Sequence, residues 1–232
     1  MIAQFTNAAV EPLWRGLDLK VHPGEFLTVL GPNGVGKSTL LNAIIGARKL
    51  TSGTVRATER VGLIPQQRMF APELPVRAGD LVSLALAHGV VRRRRAPRRE
   101  VDRLLDKVGA GHLRRRRVGT LSGGQQQLVR QAQAFARDPE LLLADEPLLS
   151  LDPKAQAHTV ELFAQHCRAG GAVICVTHDV NPFLKVTDRI LYLGPESHVL
   201  GGVEEVLDPD VLSRLYRTRV DVVRVGDRVV VV

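Results

Sequence analysis

The sequence predicts an α/β fold built on a mainly parallel β-sheet, with antiparallel β elements and an inserted helical subdomain. Short apolar runs typical of buried strands alternate with stretches of helical apolar spacing, which is the pattern of βαβ units. The chain has 232 residues, of which 44% are hydrophobic and 24% are charged, a composition typical of one compact globular domain. The longest nearly apolar stretch, residues 81–91, is shorter than the ~20 residues of a membrane-spanning helix.

The first predicted strand and helix flank a glycine-rich turn. Phe26–Leu30 is a short apolar run that ends at a glycine-proline pair, which is typical of a buried strand. Residues 40–45 have the apolar spacing of a helix, and Gly46 marks its end. A further strand is predicted at residues 60–65.

A helical subdomain is predicted after that strand, at about residues 73–138, because the apolar spacing is helical from residue 76 onward. Its last helix, at residues 125–137, ends before an Asp-Pro pair, since the residue before a proline disfavours helical backbone. The remaining predicted elements are strands at 141–144 and 172–176, a helix between them, and a terminal β-hairpin at 220–232.

Residues 31–38 read GPNGVGKS and fit the pattern GxxxxGK[ST] between a strand and a helix, the context that this motif requires. The glycines allow successive backbone N–H groups to surround phosphate oxygens, and Lys37 supplies a positive charge between the β- and γ-phosphates. Ser38 is the expected magnesium ligand. The predicted ATP-binding residues are Gly31, Pro32, Asn33, Gly34, Val35, Gly36, Lys37, Ser38 and Thr39.

Two adjacent carboxylates, Asp145 and Glu146, directly follow the apolar strand predicted at residues 141–144. Ligands bind at this end of the strands in parallel α/β sheets. Asp145 would hold magnesium, and Glu146 would polarise the attacking water as a general base. An acidic pair can instead cap a helix, but a catalytic pair is the better interpretation in a chain with a phosphate-binding loop.

Positive charge is concentrated in one segment of the chain. The net charge is +8, whereas residues 92–117 alone hold 12 basic and 3 acidic residues. Clustered arginines suit nucleic-acid phosphates or anionic lipids. No aromatic side chains are interleaved with them, which favours a solvated helix face or a membrane-proximal surface. We therefore expect no nucleic-acid partner.

The cysteines and histidines predict neither disulfides nor a transition-metal site. Cys167 and Cys175 form no CxxC pair, which is typical of free thiols in a reducing compartment. The seven histidines lack HExxH or cysteine-rich ligand spacing. The first residues lack the basic and apolar regions of a secretory signal, and a cytoplasmic location is expected.

The sequence LSGGQ at residues 121–125 lies directly before the helix that leads to the Asp145-Glu146 strand. By itself it fits a helix cap, in which serine accepts from helix N–H groups. The accompanying motifs are the loop at 31–38, Gln66, Asp145-Glu146, the SLD triplet at 150–152 and His178. With these motifs in this order, the chain resembles the nucleotide-binding subunit of an ABC transporter. The resemblance implies a P-loop NTPase fold and a single nucleotide-binding domain over residues 1–232.

The resemblance also implies a role for each motif, with ATP and Mg²⁺ as cofactors. In the family, the LSGGQ signature of one subunit closes over the γ-phosphate bound by the other, so a homodimer with two shared sites is expected. Gln66, with Gln67 as a competitor, would contact magnesium or the attacking water and report the nucleotide state to a membrane partner. His178 would contact the γ-phosphate, and Asp152 would lie at the subunit interface. The implied catalytic residues are Glu146, His178 and Gln66; the magnesium residues are Ser38, Gln66 and Asp145; and the signature residues are Ser122, Gly123, Gly124 and Gln125.

The chain departs from the family at the base site. Family members usually place an aromatic ring under adenine about 25 residues before the P-loop lysine, and residues 7–10 of this chain hold no ring. Phe5 and Trp14 are the nearest candidates, although Trp14 aligns better with a core aliphatic position. Weak discrimination between ATP and GTP is expected because stacking supplies part of the preference.

The segments at residues 146–152, 178–184 and 205–216 resemble those of importers for zinc, manganese or chelated iron. The resemblance implies membrane permease subunits as partners, a solute-binding protein as an indirect one, and a peripheral location at the cytoplasmic face of the cell membrane. Zinc or manganese is the expected cargo. The alternatives are a siderophore, haem or cobalamin importer, a soluble ABC ATPase acting on nucleic acid or ribosomes, and a regulatory nucleotide-binding module without turnover.

Overall fold

The structure is a computed structural model that describes residues 1–87, 96–226 and 228–231. Arg92–Arg95, part of the predicted basic segment, lie outside the described residues. The described strands are β1 (Ala3–Val10), β2 (Trp14–Val21), β3 (Phe26–Leu30), β4 (Ser52–Ala57), β5 (Val61–Ile64), β6 (Leu141–Asp145), β7 (Ala172–Val176), β8 (Arg189–Leu193), β9 (His198–Gly202), β10 (Val222–Val225) and β11 (Arg228–Val231). The described α-helices are α1 (Lys37–Ile44), α2 (Ala78–Leu86), α3 (Arg98–Lys107), α4 (Gly123–Ala134), α5 (Pro153–Arg168), α6 (Val203–Val206) and α7 (Pro209–Tyr216).

The predicted α/β class is confirmed, with a central sheet of strand order β5-β6-β7-β3-β8-β9. The pairings among β5, β6, β7, β3 and β8 are all parallel, and β9 pairs antiparallel with β8 at the edge of the sheet. Every residue of β3, β6 and β7 is buried, as expected for parallel strands covered on both faces. The carboxyl ends of β3, β6 and β7 therefore meet at one edge of the sheet.

The two faces of the central sheet pack against different layers. Because side chains alternate along a strand, Leu141 and Leu143 face a core shared with α1 and the antiparallel sheet β2-β1-β4. Leu142 and Ala144 face a core shared with α2, α3, α4 and α5. The antiparallel β elements and the helical layer thus lie on opposite faces of the parallel sheet.

The helices α2, α3 and α4 lie between β5 and β6 in the sequence and pack on one another through buried residues such as Val82, Leu104 and Val129. The boundaries 73–138 for a helical subdomain stay a prediction. Within residues 220–232, β10 and β11 pair antiparallel. No helix in the described ranges is both long and apolar enough to span a membrane.

Both cysteines are free and buried. Burial raises the pKa of the Cys167 thiol to about 12, and burial also raises the pKa of the Cys175 thiol well above its ordinary value. Because the thiolate is the reactive form, both side chains behave as small apolar core residues.

Candidate active site

The loop between β3 and α1 is shaped by glycines in conformations that side chains avoid. Gly31 has φ 139°, and a Cβ there would lie 2.1 Å from the carbonyl oxygen of Leu193. Gly36 has φ 96°, and a Cβ there would lie 3.0 Å from the ring of Trp14. The helix α1 begins at Lys37 directly after this turn, so its first N–H groups face the loop, a geometry suited to anions.

Lys37 is buried within this loop, with 9% of its surface exposed. Its Nζ donates to the carbonyl oxygens of Gly31, at 2.6 Å, and Pro32, at 2.9 Å. Burial lowers the pKa of Lys37, and the carboxylates of Glu146 and Asp145 oppose this shift. The ammonium group therefore lies close to two carboxylates and beside a cleft of about 400 Å³.

Asp145, the last residue of β6, lies in the same cleft as Ser38 and Gln66. Burial raises the pKa of Asp145, and a hydrogen bond from the Ser38 side chain and the charge of Lys37 oppose the shift. The Ser38 hydroxyl, the Asp145 carboxylate and the amide oxygen of Gln66 are all oxygen donors. This donor set fits Mg²⁺, which prefers a few oxygen ligands alongside phosphates and water.

Glu146 and His178 form a hydrogen-bonded pair at the edge of the cleft. The Nδ1 atom of His178 lies 2.9 Å from Oε2 of Glu146. The Glu146 side chain is 15% exposed, whereas that of His178 is 68% exposed. Glu146 has φ 49°, a left-handed conformation that L-residues adopt at an energetic cost. Its backbone N–H donates to the Val176 carbonyl at 2.9 Å.

The structure separates the two glutamines that follow β5. Gln66 lines the phosphate-loop cleft. Gln67 instead accepts a hydrogen bond from the Ser150 hydroxyl at 3.0 Å and lies against Gly123, where a Cβ would approach its amide nitrogen to 2.4 Å. Gln67 is therefore engaged with the signature and the residues after β6, and Gln66 is the one of the two that lines the cleft.

The signature residues Ser122–Gln125 start α4. Ser122 is its N-cap: the Ser122 hydroxyl accepts from the Gln125 N–H at 3.3 Å, and the Gln125 side chain accepts from the Ser122 N–H at 3.2 Å. A Cβ on Gly124 would lie 2.4 Å from the Ser150 carbonyl oxygen. None of the signature residues lines the phosphate-loop cleft in the described part of the chain.

Asp152 caps α5 by accepting hydrogen bonds from the N–H groups of Lys154 and Ala155, both at 3.0 Å. The residue is exposed and lies apart from the cleft residues. The structure thus brings Gln66, Asp145, Glu146 and the phosphate loop together, with His178 at the edge. It leaves the signature and Asp152 elsewhere on the surface.

Neither Phe5 nor Trp14 lines the cleft beside the phosphate loop. Phe5 is 1% exposed and Trp14 is 7% exposed, and the two rings pack edge to face with centroids 6.2 Å apart. Trp14 Nε1 donates to the Gly36 carbonyl at 3.4 Å, so this ring packs against the phosphate loop. Leu13 also lines the cleft. Its position there depends on the turn between β1 and β2, and no sequence motif marks the residue.

Histidine, cysteine, aspartate and glutamate side chains do not gather in groups of three or more as metal ligands within residues 1–87, 96–226 and 228–231. The absence of a transition-metal site stays a prediction.

Comparison with known proteins places this geometry in a family. The family model described as ABC transporter matches residues 14–149. The chain is 31% identical to the manganese transport system ATP-binding protein MntB of Halalkalibacterium halodurans, over 94% of this chain and 91% of that protein. It is 36% identical to the zinc import ATP-binding protein ZnuC of Paramagnetospirillum magneticum, over 82% and 71%. It is also 36% identical to the hemin import ATP-binding protein HmuV of Pseudomonas aeruginosa, over 92% and 90%.

Solved structures show the same fold. An inward-facing metal-chelate type ABC transporter matches with a TM-score of 0.84 at 24% identity, over 99% of this chain and 95% of that chain. A dimeric ATP-binding cassette in a post-hydrolysis state, bound to ADP and Pi, matches with a TM-score of 0.75 at 26% identity, over 88% and 99%. The phosphate loop, the paired carboxylates and these matches lead to one conclusion: the chain belongs to the ABC transporter family and is an ATPase.

Proposed function

We propose that this ATPase energises a membrane importer for zinc or manganese ions, acting as a homodimer at the cytoplasmic face of the cell membrane. The observation that carries the proposal is the division of the site. Lys37, Asp145 and Glu146 share one cleft, whereas the signature at the start of α4 lies outside it. A second copy of the chain would supply the missing signature.

The cleft residues would supply phosphate binding, magnesium binding and water activation for phosphoryl transfer to water. Lys37 and the N–H groups of the phosphate loop bind the β- and γ-phosphates. Ser38, Asp145 and Gln66 would hold Mg²⁺, which when bound supplies positive charge to the phosphates. Glu146 accepts the proton of the attacking water, and the 2.9 Å contact with His178 orients its carboxylate. Water activation is thus assigned to Glu146 and charge stabilisation to the loop.

The homodimer is supported by the dimeric cassette that this chain resembles and by the geometry of α4. Ser122 caps the start of α4, and the N-terminus of a helix favours anions. In our proposal these groups bind the γ-phosphate held by the partner's loop. Asp152, capping the neighbouring α5, would contact the partner across the same interface.

A permease contact is assigned to a groove of about 460 Å³ beside the cleft. Pro65 and Phe70 line this groove together with Leu81, and Gln66, the neighbour of Pro65, lines the nucleotide cleft. The loop is tied to α4 because the Phe70 N–H donates to the Gln126 side chain at 2.9 Å. A nucleotide-dependent movement of Gln66 would therefore reach a membrane subunit seated in the groove. A solute-binding protein would act through that subunit.

The cargo assignment rests on relatives that are named for manganese and zinc transport. One relative is named for hemin import, which makes a haem importer the second candidate. The permease would set the cargo in either case, because fold does not determine substrate.

Uptake by cells lacking this chain tests the function. Cells should lose accumulation of radioactive zinc or manganese at low external concentration, and the wild-type chain, but not the Glu146→Gln variant, should restore it. Haem uptake measured in the same cells separates the second candidate. Normal uptake of both metals together with lost haem uptake would overturn the zinc or manganese assignment.

A further inference from the structure

The helix α4 carries buried glutamine side chains along the face that packs on the rest of the molecule. Gln126, Gln127 and Gln131 are each 0% exposed, although amide side chains are rarely buried completely. Gln126 bonds the backbone of Val118, Leu121 and Phe70. Gln127 and Gln131 have a different partner.

Gln127 and Gln131 both bond the carbonyl oxygen of Pro147. The donor-to-acceptor distances from their Nε2 atoms are 3.4 Å and 3.3 Å. The hydroxyl of Thr159 on α5, itself fully buried, donates to Oε1 of Gln131 at 3.2 Å. The Pro147 carbonyl is therefore held by two amides, of which one is oriented by a third buried side chain.

Pro147 directly follows Glu146, whose left-handed φ of 49° persists only where the surroundings fix it. On one side the Glu146 N–H is bonded to the Val176 carbonyl of β7. On the other side the Pro147 carbonyl, in the peptide that joins Pro147 to Leu148, accepts hydrogen bonds from the two glutamine amides. The backbone is therefore held on both sides of Glu146.

Packing does not explain Gln127. Its Oε1 atom is buried and has no hydrogen-bond partner among the described residues. An unsatisfied buried acceptor destabilises the folded state, and an apolar side chain of the same shape at such a position is often neutral or stabilising. A role in function is the better explanation for an amide at this site.

We propose that Gln127 and Gln131 are positioning residues for ATP hydrolysis, holding the Pro147 carbonyl so that Glu146 is aimed at the attacking water. The inference rests on the role proposed above for Glu146. It also links the two nucleotide sites of the proposed dimer. In each chain, α4 presents the signature to one nucleotide, and the same helix positions Glu146, which acts on the other nucleotide.

The double variant Gln127→Met, Gln131→Met tests the inference, since methionine has nearly the length of glutamine without its hydrogen-bonding groups. We expect kcat for ATP to fall about tenfold or more while KM stays within about twofold, the pattern of a lost transition-state interaction. The melting temperature should not fall below that of the control Val129→Ala. This control deletes buried volume from the same helix without touching Pro147, and its kcat should stay near that of the wild-type chain.

A double variant with wild-type kcat, or one whose kcat falls no more than that of Val129→Ala at equal loss of stability, would overturn the inference. The Glu146→Gln variant in the same assay separates failure of this inference from failure of the catalytic role proposed for Glu146. A wild-type kcat in Glu146→Gln would overturn both. If the double variant does not fold, the single Gln131→Met variant carries the same expectation with a smaller loss of kcat.

Discussion

Lys37 is buried among groups that also define the chemistry of the cleft. Burial lowers its pKa, and the carboxylates of Glu146 and Asp145 oppose this shift. Its two carbonyl contacts hold the ammonium group within the loop. The fold of the phosphate loop therefore sets both the position of the ammonium group and the groups that act on its pKa.

Replacing Lys37 with alanine should abolish measurable ATP turnover, because no other side chain of the loop places a positive charge between the phosphates. Binding of a fluorescent ATP analogue should weaken at least about tenfold, equivalent to about 1.4 kcal/mol. Hydrolysis by the variant at the wild-type rate would remove Lys37 from the proposed site.

The absence of the Phe5 and Trp14 rings from the cleft predicts weak discrimination between ATP and GTP. With Phe5 and Trp14 both turned into the core, these rings cannot stack on adenine, and the Leu13 side chain makes no base-specific hydrogen bond. The affinities for ATP and GTP should therefore agree within about tenfold, or about 1.4 kcal/mol. Competition of GTP against a fluorescent ATP analogue measures this directly. A much weaker GTP affinity would show that another group selects adenine.

Residues with a fixed spacing in the sequence could be predicted, and residues brought in by tertiary packing could not. The loop at 31–38 and the Asp145-Glu146 pair carry their chemistry in their order along the chain. Gln127, Gln131 and Leu13 acquire their positions only when α4, the loop after β6 and the β1–β2 turn come together. The choice between Gln66 and Gln67 likewise needed the contact between Gln67 and Ser150.

At the scale of elements, the parallel strands are easier to predict than the antiparallel ones. The fully buried strands β3, β6 and β7 are short continuous apolar runs, and the sequence predicts each of them. The sequence does not predict β1, β2 and β4. Register shifts interrupt the pairing of β1 with both neighbours, and Asn7 has φ 43°, so the apolar alternation of a regular strand is lost.

The helix starts also differ from the predicted ones for local reasons. The first helix begins at Lys37, before its apolar spacing becomes visible at residue 40, because the Gly36 turn leads directly into it. The helix α4 begins at Gly123 because Ser122 caps it. In both cases the polar residues that start the helix are also residues for which the sequence predicts a function.

The basic segment keeps a surplus of positive charge after its ion pairs are assigned. Arg98 and Arg114 pair with Asp102, and Arg103 pairs with Glu100. The exposed residues 115–117 are all arginine and make no ion pair with the described residues. The sequence predicts that this surface, together with Arg92–Arg95 outside the described residues, is membrane-proximal or solvated.

Replacing the three arginines at 115–117 with glutamine should weaken association with membranes that contain the permease, because anionic headgroups lose their counter-charges. ATP binding in solution should be unchanged. The matched control is Arg217→Gln, Arg219→Gln, which removes exposed arginines elsewhere that pair with Glu196 and Asp221. Tight, salt-sensitive binding of DNA or RNA at ~150 mM salt, lost in the 115–117 variant alone, would favour the soluble ABC ATPase instead.

In the whole molecule, the fold divides the proposed catalytic and signature residues between two surfaces. The carboxyl ends of β3 and β6 bring the phosphate loop and both carboxylates into one cleft. The signature lies on the helical layer, which packs on one face of the sheet away from the antiparallel strands. In our proposal a single chain presents two half-sites, and two chains would complete both.

The most direct test of this shared-site architecture is gel filtration of the Glu146→Gln variant with ATP at low magnesium. The amide keeps the shape of the side chain and removes its basicity, so ATP should still close the interface while hydrolysis stops. General-base help is worth ~100- to 10,000-fold, or about 3 to 5 kcal/mol of barrier, enough for the closed state to persist on the column.

Adding Ser122→Arg to Glu146→Gln should keep the chain monomeric, because the bulky cation blocks the signature surface. Asp208→Ala in the same background is the matched control: it removes a helix cap from α7, at a comparable cost of about 1 kcal/mol, without touching the signature. The shared-site architecture predicts an ATP-dependent dimer for Glu146→Gln with or without Asp208→Ala, and a monomer with Ser122→Arg. An ATP-dependent dimer that survives Ser122→Arg, or a Glu146→Gln monomer that hydrolyses ATP at the wild-type rate, would contradict it.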